Sequence, residues 1–226
     1  MHCELVVPGL LTPMPPGPAG MPRMPALERL LARARTSASA PTTPEDWLAQ
    51  VLGLEAGGLP AGAYARAASS LSLPVPGEHW IRLDPVHLKL GRESLTMLPA
   101  AVLDLRTDEA SALCASLASH FGARFAEGPA PADAQSWYAR LRHPAEAGRT
   151  PAIALCGADV DSQLQTGLMP APWHAFLNEA QMLFHAHPVN EAREARGELP
   201  VNSVWPWGAG DPREIVRDGG LPWLSL

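Results

Sequence analysis

The chain has 226 residues, 46% of them apolar and 18% charged, with a formal net charge of −6. That composition suits a globular chain with a sizeable core, and its mild acidity argues against bulk binding to nucleic acid or anionic lipid. Cys3, Cys114 and Cys156 have neither disulfide-framework nor zinc-knuckle spacing, the N-terminus lacks a basic leader, and no window reaches the ~18 apolar residues of a membrane span. These features predict a cytoplasmic protein with neither nucleic acid nor membrane as partner.

In chain order, residues 4–11 (ELVVPGLL) predict a short buried strand stopped at Pro8-Gly9, followed by a proline-rich connector from Pro13 to Pro25. Leu27, Leu30 and Leu31 recur at helical spacing over 26–35. After a loop over 36–44, Thr43-Pro44-Glu45-Asp46 starts a second helix that carries Trp47, Leu48, Val51 and Leu52 and ends near Gly53. Residues 56–77 are rich in small residues, with one short helix around 64–70.

Strands are expected at 78–83 and 95–98, with Asp84-Pro85-Val86-His87-Leu88 between them as a turn. A helix from Thr107 to about Phe121 turns Ala110, Leu113, Leu117 and Phe121 inward. Further strands are expected near 135–141 and 152–156. A long helix over 172–185 has Phe176, Leu177, Ala180, Leu183 and Phe184 as its core stripe. Pro188 interrupts it or begins another helix that ends at Gly197. Residues 199–207 form a strand of mixed polarity, and Gly208-Ala209-Gly210 a flexible break. The pattern predicts an α/β or α+β fold, a mixed sheet with flanking helices, as one domain over 1–210. Residues 211–226 are expected to be an unpatterned tail at a truncated C-terminus.

Two segments can carry chemistry. In the first, Asp84 and His87 either approach across a turn begun by Pro85, making a carboxylate-oriented imidazole, or Asp84 caps the turn and His87 is structural. The second is residues 178–207, dense in polar side chains. Asn178, Gln181 and His185 share a helix face, and Arg193 and Arg196 share another, where they can clamp a phosphate or carboxylate. Asn190, Asn202 and Trp205 complete the ligand-binding candidates. The alternative is a polar network tying two helices to the next strand. His185 and His187 lie about 200° apart around a helix, so they share one metal only if Pro188 unwinds that end.

The block LNEAQMLFHAHPVNEAREARGELPVNSVWPWG (177–208), with DPVHL (84–88) and LVVPGLL (5–11), resembles the RpfE-type regulatory protein family of proteobacteria, over about residues 4–210. Members of that family are often described as cofactor-independent phosphoglycerate mutases. Residues 187–210 are similar to a segment of archaeal-type phosphoglycerate mutases of the alkaline phosphatase superfamily, which implies a partly shared fold. Those enzymes use a phosphorylated serine and two metals held by Asp and His. Here no Gly-Asp metal motif follows the first strand, and Pro206 stands where the family has an aliphatic residue.

The expectation is a non-catalytic regulatory module that binds a protein partner or a small anion and needs no cofactor. The alternative is a phosphoglycerate mutase-like or phosphatase activity, with Mn or Zn held by Asp84, His87, His185 and His187. Replacing Arg193 and Arg196 together by alanine should spare folding and abolish anion binding. Loss of the fold instead would make both arginines structural.

Overall fold

The computed structural model describes residues 24–33, 43–54, 58–70, 75–91, 94–145, 147–156, 159–160, 164 and 169–212. The expected strand at 4–11, most of the proline-rich connector and the tail beyond 212 lie outside the described residues. The chain divides into two compact units, 1–44 and 45–226. The first contains α1 (Pro25–Arg33), whose Glu28 carboxylate accepts the Met24 N–H at 3.2 Å. Everything below concerns the second.

That unit is an antiparallel sheet flanked by helices. Its elements begin with α2 (Pro44–Val51), α3 (Ala61–Ser69), β1 (Trp80–Leu90) and β2 (Leu95–Pro99), then a 3₁₀ turn (Ala100–Val102) and α4 (Thr107–His120). β3 (Phe125–Pro131), β4 (Trp137–Leu141) and a second 3₁₀ turn (Ala152–Leu155) follow. The last three are α5 (Ala171–His185), α6 (Pro188–Ala195) and β5 (Ser203–Gly210). All pairings between these strands are antiparallel, and parallel contacts occur only as the isolated bridges Met97–Cys156 and Gly148–Trp207 among the described residues.

β1 is the organising strand. Leu83 pairs with Trp137 and Pro206, and Val86 with Pro99 and Ser203, so β5 runs along one edge while β4 and β2 share the other in succession. β3 pairs with the far side of β4. The expected turn at 84–88 is corrected here: these residues continue β1 without a break. Proline is tolerated because strand residues alternate the edge to which they point N–H and C=O. Leu88 exchanges bonds with the Asn202 side chain on the β5 side, at 2.7 and 2.8 Å. Pro85 has the opposite parity, so its donorless nitrogen faces the gap between the ends of β4 and β2. The same alternation aims the nitrogen of Pro206 away from β1, so Pro206 removes no bond from that ladder.

Two further expectations change, and one strand was not expected. Residues 152–155 form a 3₁₀ turn rather than a strand, with the Cys156 N–H closing on the Ile153 carbonyl. β3 has no alternating signal in its FAEGPAP run, and its pairing with β4 shifts register twice. Gly208-Ala209-Gly210 is no free break but the end of β5, where a bulge shifts the register between Trp80 and Arg82. Gly208 has φ +68, and a Cβ on Gly62 of α3 would stand 2.9 Å from the Arg82 nitrogen and the Gly208 oxygen. Glycine at 62 therefore lets α3 rest directly on the β1 and β5 backbones.

Packing closes around one apolar cluster. Ala110, Leu113, Leu117 and Phe121 of the α4 segment and Trp173, Phe176, Leu177, Ala180 and Phe184 of α5 meet the inward residues of the sheet. Phe176 lies 4.5 Å from Phe121 and 5.2 Å from Trp173, ring centroid to ring centroid. At about 25 cal/mol per Å² of apolar surface removed from water, such ring burial holds both helices to the sheet. Asp211, read with the tail, is buried, and its carboxylate accepts the Gly77 N–H at 3.0 Å.

Candidate functional site

The register of β1 assembles a polar site. Arg82 pairs with Tyr138 on one neighbour and Trp207 on the other, so both rings stand on its own face of the sheet. Its guanidinium carbon lies 5.9 Å from the Tyr138 ring centroid and 5.4 Å from that of Trp207, within cation–π range. Asp84, two residues on and so on the same face, takes the Arg82 Nε–H at 2.6 Å and the Trp207 indole N–H at 2.7 Å. Burial pushes the Asp84 carboxyl up, opposed by Arg82, Trp207 and the Ala152 N–H. The bonds match the demand of a buried carboxylate for donors.

Over Arg82, Asp84 and Trp207 opens a cleft of about 220 Å³. Ala100 and Ala101 of the first 3₁₀ turn form one wall, and Ala152 and Ile153 of the second form another. Glu45 of α2 and Gln135, before β4, stand at its polar margin. Arg82 keeps 25% of its side chain exposed there, against 8% for Asp84. The Oε2 atom of Glu45 is buried without a hydrogen-bond partner.

The sequence-predicted residues are dispersed. Asp84 and His87 do not meet: three apart on one strand, they point to opposite faces, and His87 Nδ1 lies 2.8 Å from the Pro200 carbonyl oxygen. Gln181, His185 and Asn202 line a shallow groove with Met182, and Asn178 is exposed on α5. Asn190 is buried between elements, donating to the Phe184 and Val201 carbonyls at 2.9 and 2.8 Å and accepting the Val201 N–H at 2.9 Å. Trp205 donates its indole N–H to Thr150 O at 2.8 Å.

Arg193 and Arg196 already hold an anion, the Glu109 carboxylate of α4. Arg193 is 0% exposed; it reaches Glu109 Oε2 at 2.6 Å and donates to the Leu103 and Leu199 carbonyls. Arg196 reaches Glu109 Oε1 at 2.5 Å and pairs with Glu198. His187 is the N-cap of α6: its Nδ1 accepts the Val189 N–H at 3.2 Å, and its Nε2 lies 2.9 Å from Ser116 Oγ. An accepting Nδ1 puts the ring proton of the neutral form on Nε2, so His187 donates to Ser116 and does not activate it as a base.

Sequence reasoning missed Arg82, Trp207, Glu45 and Gln135. A signal existed for the first: opposite charges at 82 and 84 share a strand face within an otherwise apolar run. Nothing local linked residue 45 or 207 to them.

Fold and site together define an α+β protein with a helix-flanked antiparallel sheet and a polar cleft on its central strand. No protein-family model matches the sequence, and no curated protein matches it. Among solved structures, the cofactor-independent phosphoglycerate mutase from Thermoplasma acidophilum is similar at 17% identity and a TM-score of 0.40, over 76% of this chain and 47% of that one. The chain thus spans about half the length of that enzyme.

Proposed function

We propose that this chain is a non-catalytic regulatory module that binds a small molecule carrying a carboxylate or phosphate in the Arg82 cleft, and that it belongs with the RpfE-type proteins. One observation carries the binding reading: Arg82 is held between two rings, anchored through Nε to Asp84, and still a quarter exposed at the cleft. A guanidinium fixed in this way loses little side-chain freedom when it bonds an oxyanion. Support for a non-catalytic role comes from the commitment of three of the four candidate groups. Both Asp84 oxygens accept bonds, His87 Nδ1 faces a carbonyl, and His187 is bonded through both ring nitrogens.

Titration calorimetry with inorganic phosphate, acetate and 3-phosphoglycerate tests the reading. At least one should bind to the wild type, and Ala101→Trp, which fills the cleft and leaves both residues of the ion pair in place, should remove that binding. Phosphoglycerate mutase or phosphatase turnover with added Mn or Zn, lost in Asp84→Asn, would replace the module with an enzyme.

A further inference from the structure

The lining of the cleft is not that of a simple anion site. One guanidinium, Arg82, shares it with two carboxylates, Asp84 and Glu45, so the lining carries one excess negative charge. Asp133 adds its field to that of Asp84 around Arg82. A ligand with only negative charge gains at Arg82 and loses against the surrounding carboxylates. The two acids differ in state: Asp84 is bonded through both oxygens, whereas Glu45 Oε2 is buried with nothing to accept. A carboxylate that keeps one oxygen buried and unbonded is costly to hold charged, and a charged N–H donor at its other oxygen offsets that cost best. Between these poles the walls are apolar, formed by Pro99, Ala100, Pro151, Ala152 and Ile153.

We infer that the cleft takes a small zwitterion of the α-amino acid class, its carboxylate on Arg82, its ammonium on Glu45 and its apolar side chain along the alanine and proline walls. The inference rests on the binding reading above and narrows it to one ligand class. Gln135, at the same margin, supplies an amide that can bond either ligand group.

The test uses the full chain. The twenty common L-amino acids are screened by calorimetry, and the tightest is compared with its des-amino acid and with the amine that lacks its carboxylate. The amino acid should bind at least tenfold tighter than either analogue, Glu45→Gln should weaken it at least tenfold, and Ala101→Trp should abolish it. Circular dichroism and thermal unfolding confirm that each variant is folded. Equal binding of the des-amino acid, unaffected by Glu45→Gln, overturns the zwitterion and leaves the oxyanion reading intact. An amine that binds as well as the amino acid overturns both, and no binding of any of these compounds at millimolar concentration overturns the zwitterion and leaves the oxyanion reading to phosphate and 3-phosphoglycerate.

Discussion

Arg193 shows how one side chain can serve as scaffold where its spacing suggests a binding site. It is 0% exposed, and its donors go to Glu109 and to the carbonyls of Leu103 and Leu199. Burial pushes the Glu109 carboxyl up, but the Arg106 N–H and the two guanidinium groups outweigh it and hold the carboxyl below its usual range. Arg193→Ala would leave that carboxylate buried with fewer donors and should cost about 3–5 kcal/mol, a large part of a total of about 5–15. Arg196→Ala, at an exposed position, should cost much less. Urea unfolding followed by circular dichroism reads both, and the double variant should fall with Arg193→Ala. An unchanged midpoint in the double variant would restore the expectation that both arginines are free to clamp an external anion. The shared helix face of 193 and 196 was legible in the sequence. Glu109, more than eighty residues away, was not.

Among the elements, α6 starts on a titratable cap. Its N-cap is the neutral His187 ring, which accepts the Val189 N–H. Burial lowers the pKa of that imidazole below the ordinary value of about 6.5. The unfolded chain therefore takes up the proton first, and the stability from this group is complete above pH 6.5 and lost as pH falls through the folded pKa. The urea midpoint should drop between pH 7.5 and 5, and His187→Asn, which caps without titrating, should make that drop smaller. An identical drop in the variant would assign the pH dependence to other groups. Helix ends of this kind were readable from proline and glycine alone: Pro188 opens α6, and Gly197, at φ +76, follows its end. β1 was less readable. Proline at 85 looks like a turn until its nitrogen is known to face a gap between two neighbouring strands.

At the scale of the molecule, the sheet, α4 and α5 share one buried cluster, so a defect within it should be felt throughout the 45–226 unit. Phe176 contacts Phe121, Phe125 and Trp173 from the centre of that cluster. Phe176→Ala should cost about 3–5 kcal/mol through lost burial and the cavity it leaves. Far-ultraviolet circular dichroism and tryptophan fluorescence should report the same lowered midpoint, since Trp137, Trp173, Trp205 and Trp207 are all buried in this cluster. Separate transitions would show that the sheet and α5 unfold independently.

The amino-acid sequence by itself determined the helices, the inward stripes of α4 and α5, and the sheet-and-helix class. These follow from apolar spacing and from the local chemistry of proline and glycine, which act within a few residues. Tertiary structure decided the rest. It carried the strand expected at 78–83 on through the expected turn as β1, satisfied Arg193 and Arg196 with Glu109, and set Arg82 between Tyr138 and Trp207 in one cleft with Glu45. The physical reason is that burial and charge pairing depend on neighbours in space. Strand register alone brings residue 82 to 138 and 207.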